Sequence, residues 1–285
     1  MSDRLSLDLF DNALDFLVSS SGHALSDSQS DWKYALLHLA AAVELLLKTR
    51  LEQEHWSLLF ADVDKADLTK LHSGDFKSID FEGACARLAK IASVSIDEAD
   101  LQHLDQLRKL RNRVQHFEIH VELEQIKSLL DRGINFFVGF MQENLPDRLA
   151  AHDPRFERIY GHLRELESFV ETRLESIDHE LKRAPDLVEC GWCWQETLIL
   201  GSGDPRCAFC GFTMPASEYV EYLGEGSTGG ECLVCGEQTL SFVLVHNEFG
   251  YDHCVSCGTR QSMCLRCRHR SVGVNDVCPE CGYNP

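Results

Sequence analysis

Positive charge is scarce in this 285-residue sequence: 27 Lys and Arg face 46 Asp and Glu, giving a formal net charge of −19. A protein that coats nucleic acid by bulk electrostatics needs a broad basic surface, so any nucleic-acid contact here must be local. Long apolar runs are also missing. The longest, Ala35 to Leu47, is interrupted by His38 and Glu44 and is too short to span a bilayer. Met1 to Phe10 has Asp3, Arg4 and Asp8 where a secretory leader needs an apolar segment, so the expected location is the cytoplasm, with no membrane partner. The glycine-rich run Gly224 to Gly230 lacks the Lys-Ser/Thr ending of a phosphate loop and reads as a linker. His152-Asp153 stands without the further His and Asp cluster that a metal phosphohydrolase requires. There is no Ser-His-Asp constellation and no signature of hydride transfer.

Cysteine is nearly absent from the first two thirds and concentrated in the last. Of 13 Cys, only Cys85 precedes Cys190, and that shift in composition sets an expected domain boundary near residue 185. Cys85, among Ala84, Ala86 and Leu88, reads as a small buried hydrophobe. In a reducing compartment the remaining twelve are better metal ligands than disulfides. They form six CxxC pairs. Cys190 and Cys193 are followed after 13 residues by Cys207 and Cys210, Cys232 and Cys235 after 18 by Cys254 and Cys257, and Cys264 and Cys267 after 10 by Cys278 and Cys281. Each quartet has the form of a zinc ribbon, two knuckles converging on one tetrahedral Zn2+. Pairing between adjacent knuckles and a cross-braced pairing would give the same spacings.

Three ribbons are therefore expected, over 186–213, 228–260 and 261–285. Gly211, Gly236, Gly258 and Gly282 follow the second Cys of a pair, where a knuckle needs a positive φ. Four thiolates saturate zinc and leave no open position, so the three ions are structural and no catalytic metal is expected. His253 and His269 lie beside ligands but are surplus to them.

The first 150 residues read as a helical bundle. An amphipathic helix over Leu5 to Val18 precedes a polar loop, Ser19 to Ser30. A long helix from Trp32 to about Gln53 follows, capped by Ser30 or Asp31 and apolar on most of its surface, with Glu44 and Lys48 as an i,i+4 pair. Further helices are expected over Phe81 to Ala92, from Asp97 to about His116, and from Leu123 to about Asn144. A single long helix, Arg155 to Arg183, has the 3 and 4 spacing of a connecting or dimerisation element within residues 151–185.

The chemically richest stretch is Leu107 to Phe117, which places fixed cations, an amide and an imidazole within a few residues. Arg111 and His116, five apart, would stand about 140° apart on a regular helix, so both reach one site only where the helix ends near His116. Arg111-Asn112-Arg113-Val114-Gln115-His116 resembles the RNxxxH form of the Rx4-6H motif of HEPN-domain ribonucleases. A long Ala/Leu-rich helix carrying Glu44 before the motif and an amphipathic helix after it extend the likeness over roughly residues 1–145.

The resemblance implies a HEPN-like helical bundle followed by small β-rich ribbons. It also implies metal-independent RNA cleavage by 2′-OH attack, leaving a 2′,3′-cyclic phosphate and a 5′-OH. His116 would move the proton, Arg111 would bind the phosphate, and Asn112 and Glu44 would orient them. One His per motif leaves the chain an acid/base group short, which the family resolves in a homodimer with a composite cleft. Arg108, Lys109 and Arg113 would contact phosphates beside it. A second basic island, Arg260, Arg266, Arg268 and Arg270, would face RNA from the ribbons, which otherwise dock a regulatory protein. Family analogy suggests phage defence or a toxin system. The competing reading is a non-catalytic dimeric zinc-ribbon adaptor for RNA or a protein partner.

Overall fold

The computed structural model describes residues 6–26, 28–150, 153–222, 230–245, 249–273 and 277–283. His152 and Gly224 to Ser227, with the two residues after it, lie outside these. The chain forms two compact units, Met1–Arg173 and Leu174–Pro285. Among the described residues, no helix is long and apolar enough to cross a membrane.

The first unit is helical. Helix α1 (Leu9–Ala24) starts at Asp8, whose carboxylate accepts from the Asp11 amide at 2.7 Å. It does not stop at Val18 but runs through the serines expected to form a loop. Ser20 Oγ donates to Ala35 O at 2.8 Å, Ser19 Oγ meets His38 Nδ1 at 2.9 Å, and Ser21 Oγ bonds Val18 O and His162 Nδ1. With their hydroxyls satisfied across helix contacts, Ser20 and Ser21 are fully buried at little cost, and small side chains let neighbouring helices approach.

Helix α2 (Gln29–Glu54) is capped by Ser28, not Ser30 or Asp31; the Asp31 carboxylate bonds His23 and Ser26 instead. Its leucines Leu36, Leu39, Leu46, Leu47 and Leu51 are buried, because α1 and α6 (Leu123–Asn144) cover it, with α4 (Phe81–Lys90) and α5 (Glu98–His116) also packed against it. Gly133 of α6 eases the approach there: a Cβ would lie 2.8 Å from Leu39 Cδ2, and that buried side chain would have to shift.

Between α2 and α4 the chain makes short 3-10 turns (Trp56–Leu59 and Val63–Lys65) and α3 (Leu68–Ser73). Two strands of loop then lace together, Ile79 N to Leu59 O at 2.8 Å and Ala61 N to Lys77 O at 2.9 Å. Arg87 of α4 locks the lacing by donating to Leu58 O and Phe60 O at 2.6 and 2.7 Å. The result fixes Ser78 and Asp80 in front of α2.

The expected single helix Arg155 to Arg183 is two. After α7 (Pro146–Ala150), α8 (Arg155–Leu163) and α9 (Glu167–Leu181) are separated by a turn in which Glu165 N bonds His162 O and Leu166 N bonds Leu163 O. On one continuous helix Leu163 and Phe169 would stand about 120° apart. Both are fully buried, and the break is what re-phases Phe169 into the core. The division between the two units falls within α9.

The second unit is small and β-rich. Strands β1 (Asp186–Glu189), β2 (Glu196–Leu200) and β3 (Arg206–Cys207) form an antiparallel sheet in that order, followed by α10 (Ala216–Tyr222). Strands β4 (Leu240–Val245), β5 (Phe249–Cys254), β6 (Arg260–Met263) and β7 (Arg270–Val272) form a second antiparallel sheet that runs through both the second and the third Cys quartets. The two sheets meet at buried Asp186, which accepts from Tyr251 Oη, His253 Nδ1 at 2.5 Å and Arg260 Nε at 3.1 Å. Three donors on one carboxylate offset its removal from water. His253 is thus fully buried, with Nε2 on Gly201 O at 3.1 Å.

Burial, together with the nearby acids Asp97 and Glu143, pushes the Asp100 carboxyl up to about 6. A carboxyl with a raised folded-state pKa favours the fold below its unfolded value, and that contribution is lost as pH rises through the folded value. Asp100→Asn is therefore expected to raise stability at pH 7 by about 1 kcal/mol after allowance for solvent screening, with the gain vanishing near pH 4. Denaturant unfolding at the two pH values checks this.

Candidate functional site

Glu44 and Arg111 meet. Glu44 projects from α2 and Arg111 from α5, and Arg111 Nη2 donates to Glu44 Oε2 at 3.2 Å. The other carboxylate oxygen, Oε1, accepts from Lys48 Nζ at 2.6 Å, and Lys48 Nζ also donates to Ser78 Oγ at 3.1 Å. Lys48 is buried, so its ammonium relies on that carboxylate and on Ser78 for hydrogen-bond partners. Arg111 Nη1 turns back along its own helix to Asn112 Oδ1 at 3.1 Å and Gln115 Oε1 at 3.3 Å. One carboxylate between two cations leaves this group of three with a net positive charge.

Glu44, Arg111 and Asn112 border a cleft of about 420 Å³ that Ser78, Asp80, Glu82 and Arg108 also line. Asp80 caps α4 through the Gly83 amide at 2.9 Å. Ser78, Asp80 and Glu82 were not singled out from the sequence. The Asp-x-x-Gly start of α4 is a readable cap, but that it faces α2 depends on the lacing of 59–61 with 77–79, which leaves no periodic signal.

His116 is the last residue of α5 and is exposed; Phe117, which caps the helix through its amide to Arg113 O at 2.8 Å, is 74% exposed beside it. The imidazole does not line the cleft within one chain. The helix ends where the motif requires, and 117–122 is irregular before α6 begins at Leu123.

The basic residues around the cleft are partly spent on acids. Arg108 Nη2 bonds Asp105 at 2.7 Å and Glu82 at 3.0 Å, and Lys109 Nζ takes the other oxygen of Asp105 at 2.6 Å. Arg113 is exposed. The second basic island is divided. Arg260 holds Asp186, and Arg270 lies 3.5 Å from Asp252 Oδ2 and 3.4 Å from Glu231 O, whereas Arg266 and Arg268 are exposed.

The twelve cysteines form three groups that can each hold a metal ion: Cys190, Cys193, Cys207 and Cys210; Cys232, Cys235, Cys254 and Cys257; Cys264, Cys267, Cys278 and Cys281. Adjacent knuckles are paired and the cross-braced alternative is not formed. Sγ to Sγ separations of 3.6 to 3.8 Å match the edge of a tetrahedron with metal to sulfur bonds of about 2.3 Å. Gln261 Nε2 at 2.9 Å from Cys232 Sγ and Thr197 Oγ1 at 3.2 Å from Cys207 Sγ add bonds around the thiolates.

All six knuckles share one backbone pattern: the residue after the second Cys donates to the carbonyl of the first, as Gly211 does to Cys207 at 2.9 Å. That residue has positive φ in each. Four are glycine, but Trp194 (φ 58) and Arg268 (φ 62) occupy the other two, at a cost of about 1–2 kcal/mol each. Cys85 is half-buried, and burial raises its thiol to about 11, so it is not a reactive thiolate at neutral pH.

No family model matches the chain, and neither the curated proteins nor the solved structures contain a match.

Removal of metal with a chelator is expected to abolish the fold of the second unit while leaving most of the helical signal, because metal binding and folding of such small modules are one equilibrium. Circular dichroism and limited proteolysis of the treated protein check this; survival of protease resistance beyond Leu174 would contradict it.

Proposed function

We propose that the helical unit is a HEPN-like endoribonuclease, acting by 2′-OH attack to leave a 2′,3′-cyclic phosphate and a 5′-OH. The observation that supports the reading best is the Glu44 to Arg111 ion pair on the 420 Å³ cleft, with Asn112 alongside and an exposed imidazole at the end of the same helix. Arg111 carries five fixed N–H donors, a planar set suited to a phosphodiester. Glu44 orients that guanidinium, and Lys48 supplies the charge that lets Arg111 take a phosphate without leaving the carboxylate unpaired. His116 exchanges the proton with the 2′-OH or the leaving 5′-oxygen.

Because His116 stands outside the cleft of its own chain, the reaction is assigned to a homodimer in which two motifs face one another. Arg108, Lys109 and Arg113 border the RNA path. The Cys quartets are assigned three structural zinc ions, which supply the folding free energy of the second unit and no reaction step.

The same ion pair also suits a non-catalytic adaptor, in which Arg111 simply ties two helices together. The two readings part on RNA. Wild-type protein incubated with cellular RNA in the absence of added divalent metal is expected to generate cyclic-phosphate ends, with His116→Ala and Arg111→Ala reduced by about 10²- to 10⁴-fold. Equal, background-level ends from all three folded, dimeric proteins would contradict the nuclease.

A further inference from the structure

The six knuckles amount to an internal alignment, and they differ at one place. Where four have glycine in the left-handed region, the first knuckle of the first quartet has Trp194. Trp194 is 61% exposed, so burial does not compensate the unfavourable backbone. Its indole Nε1 donates to Gly191 O at 3.2 Å. Tyr222, 56% exposed at the end of α10, places its Oη against the same glycine, where an added Cβ would lie 2.3 Å from that oxygen. Two exposed aromatic side chains therefore flank one residue of the knuckle, and a side chain at 191 would displace the Tyr222 hydroxyl.

At the foot of this knuckle β1 and β2 set Glu189 directly opposite Glu196. Both are exposed and neither has an ion-pair partner among the described residues. Like charges in a cross-strand pair destabilise the sheet, so this pair does not contribute to holding β1 on β2. Glu218 and Glu221 on α10 are exposed as well, and Arg206, the one cation of residues 186–213, is engaged by Glu180.

We propose that the Trp194 knuckle is a docking site for a cationic side chain, Arg or Lys, on an extended segment of a partner protein. An aromatic face attracts a cation, Arg most of all, and carboxylates at its edge complete the charge match. RNA is the poorer occupant: the paired Glu189 and Glu196 repel a phosphate backbone, although a base would stack on the indole. The site is independent of the nuclease reading.

The test uses the zinc-loaded full chain and a labelled hexa-arginine peptide, read by fluorescence anisotropy and by the indole ¹⁵N–¹H resonances of the four tryptophans. The Trp194 resonance is expected to move, with those of Trp32, Trp56 and Trp192 still. Trp194→Gly, which installs the residue that four of the other five knuckles use, is expected to fold with an equal or higher melting temperature and to bind at least tenfold more weakly. Glu189→Gln/Glu196→Gln is expected to weaken binding at least fivefold, against less than twofold for the charge control Glu237→Gln. The proposal is overturned if Trp194→Gly and the double Gln variant bind the peptide as wild type does. It is equally overturned if an oligouridylate, and not the peptide, moves the Trp194 resonance.

Discussion

A single carboxylate, Glu44, holds two cations from two directions, and the cleft exists in its present form because of it. Lys48 lies one turn further along α2 and is buried; Arg111 comes from α5. Without Glu44, Lys48 would be an unpaired buried charge, and Arg111 would lose the contact that turns it toward α2. The same constraint reaches the loop before α4, since Ser78 takes the remaining donor of Lys48. A charged side chain in the middle of an apolar helix thus coordinates three segments of the helical unit.

The second unit depends on a different constraint. Its sheets are short, and what gathers them is the convergence of four thiolates three times over, with the buried Asp186 joining the two sheets. Repetition of one knuckle fixes the backbone so closely that departures from glycine become visible as exceptions. Such exceptions direct attention to Trp194 and Arg268, neither of which is packed in a core.

Much of this was legible in the sequence, for identifiable reasons. CxxC spacing reports the metal groups directly, because ligand geometry permits few alternatives. The starts of α5 and α6 follow from the Asp97 cap and from the return of apolar periodicity at Leu123. Long-range packing was not legible. Ser19 to Ser21 read as loop because their hydroxyl partners lie on α2 and α8, far away in sequence. The break at 164–166 was hidden because its residues continue the 3 and 4 spacing, and only the burial of both Leu163 and Phe169 requires it. Of the candidate site, the sequence indicated Glu44, Arg111 and Asn112 as partners but not that His116 would stand apart from their cleft. It also could not reveal that Arg260 and Arg270 are committed to Asp186 and Asp252.

In the proposed reaction the substrate supplies its own nucleophile, so the protein has to position and neutralise a phosphate and move one proton. The most direct measurement is therefore made on the substrate. A ribo-oligonucleotide mapped for cleavage is compared with the same sequence carrying a single 2′-deoxy residue at the scissile position. The account predicts cleavage of the first at that position and none of the second; cleavage of both, or of neither by the folded dimeric protein, would contradict it.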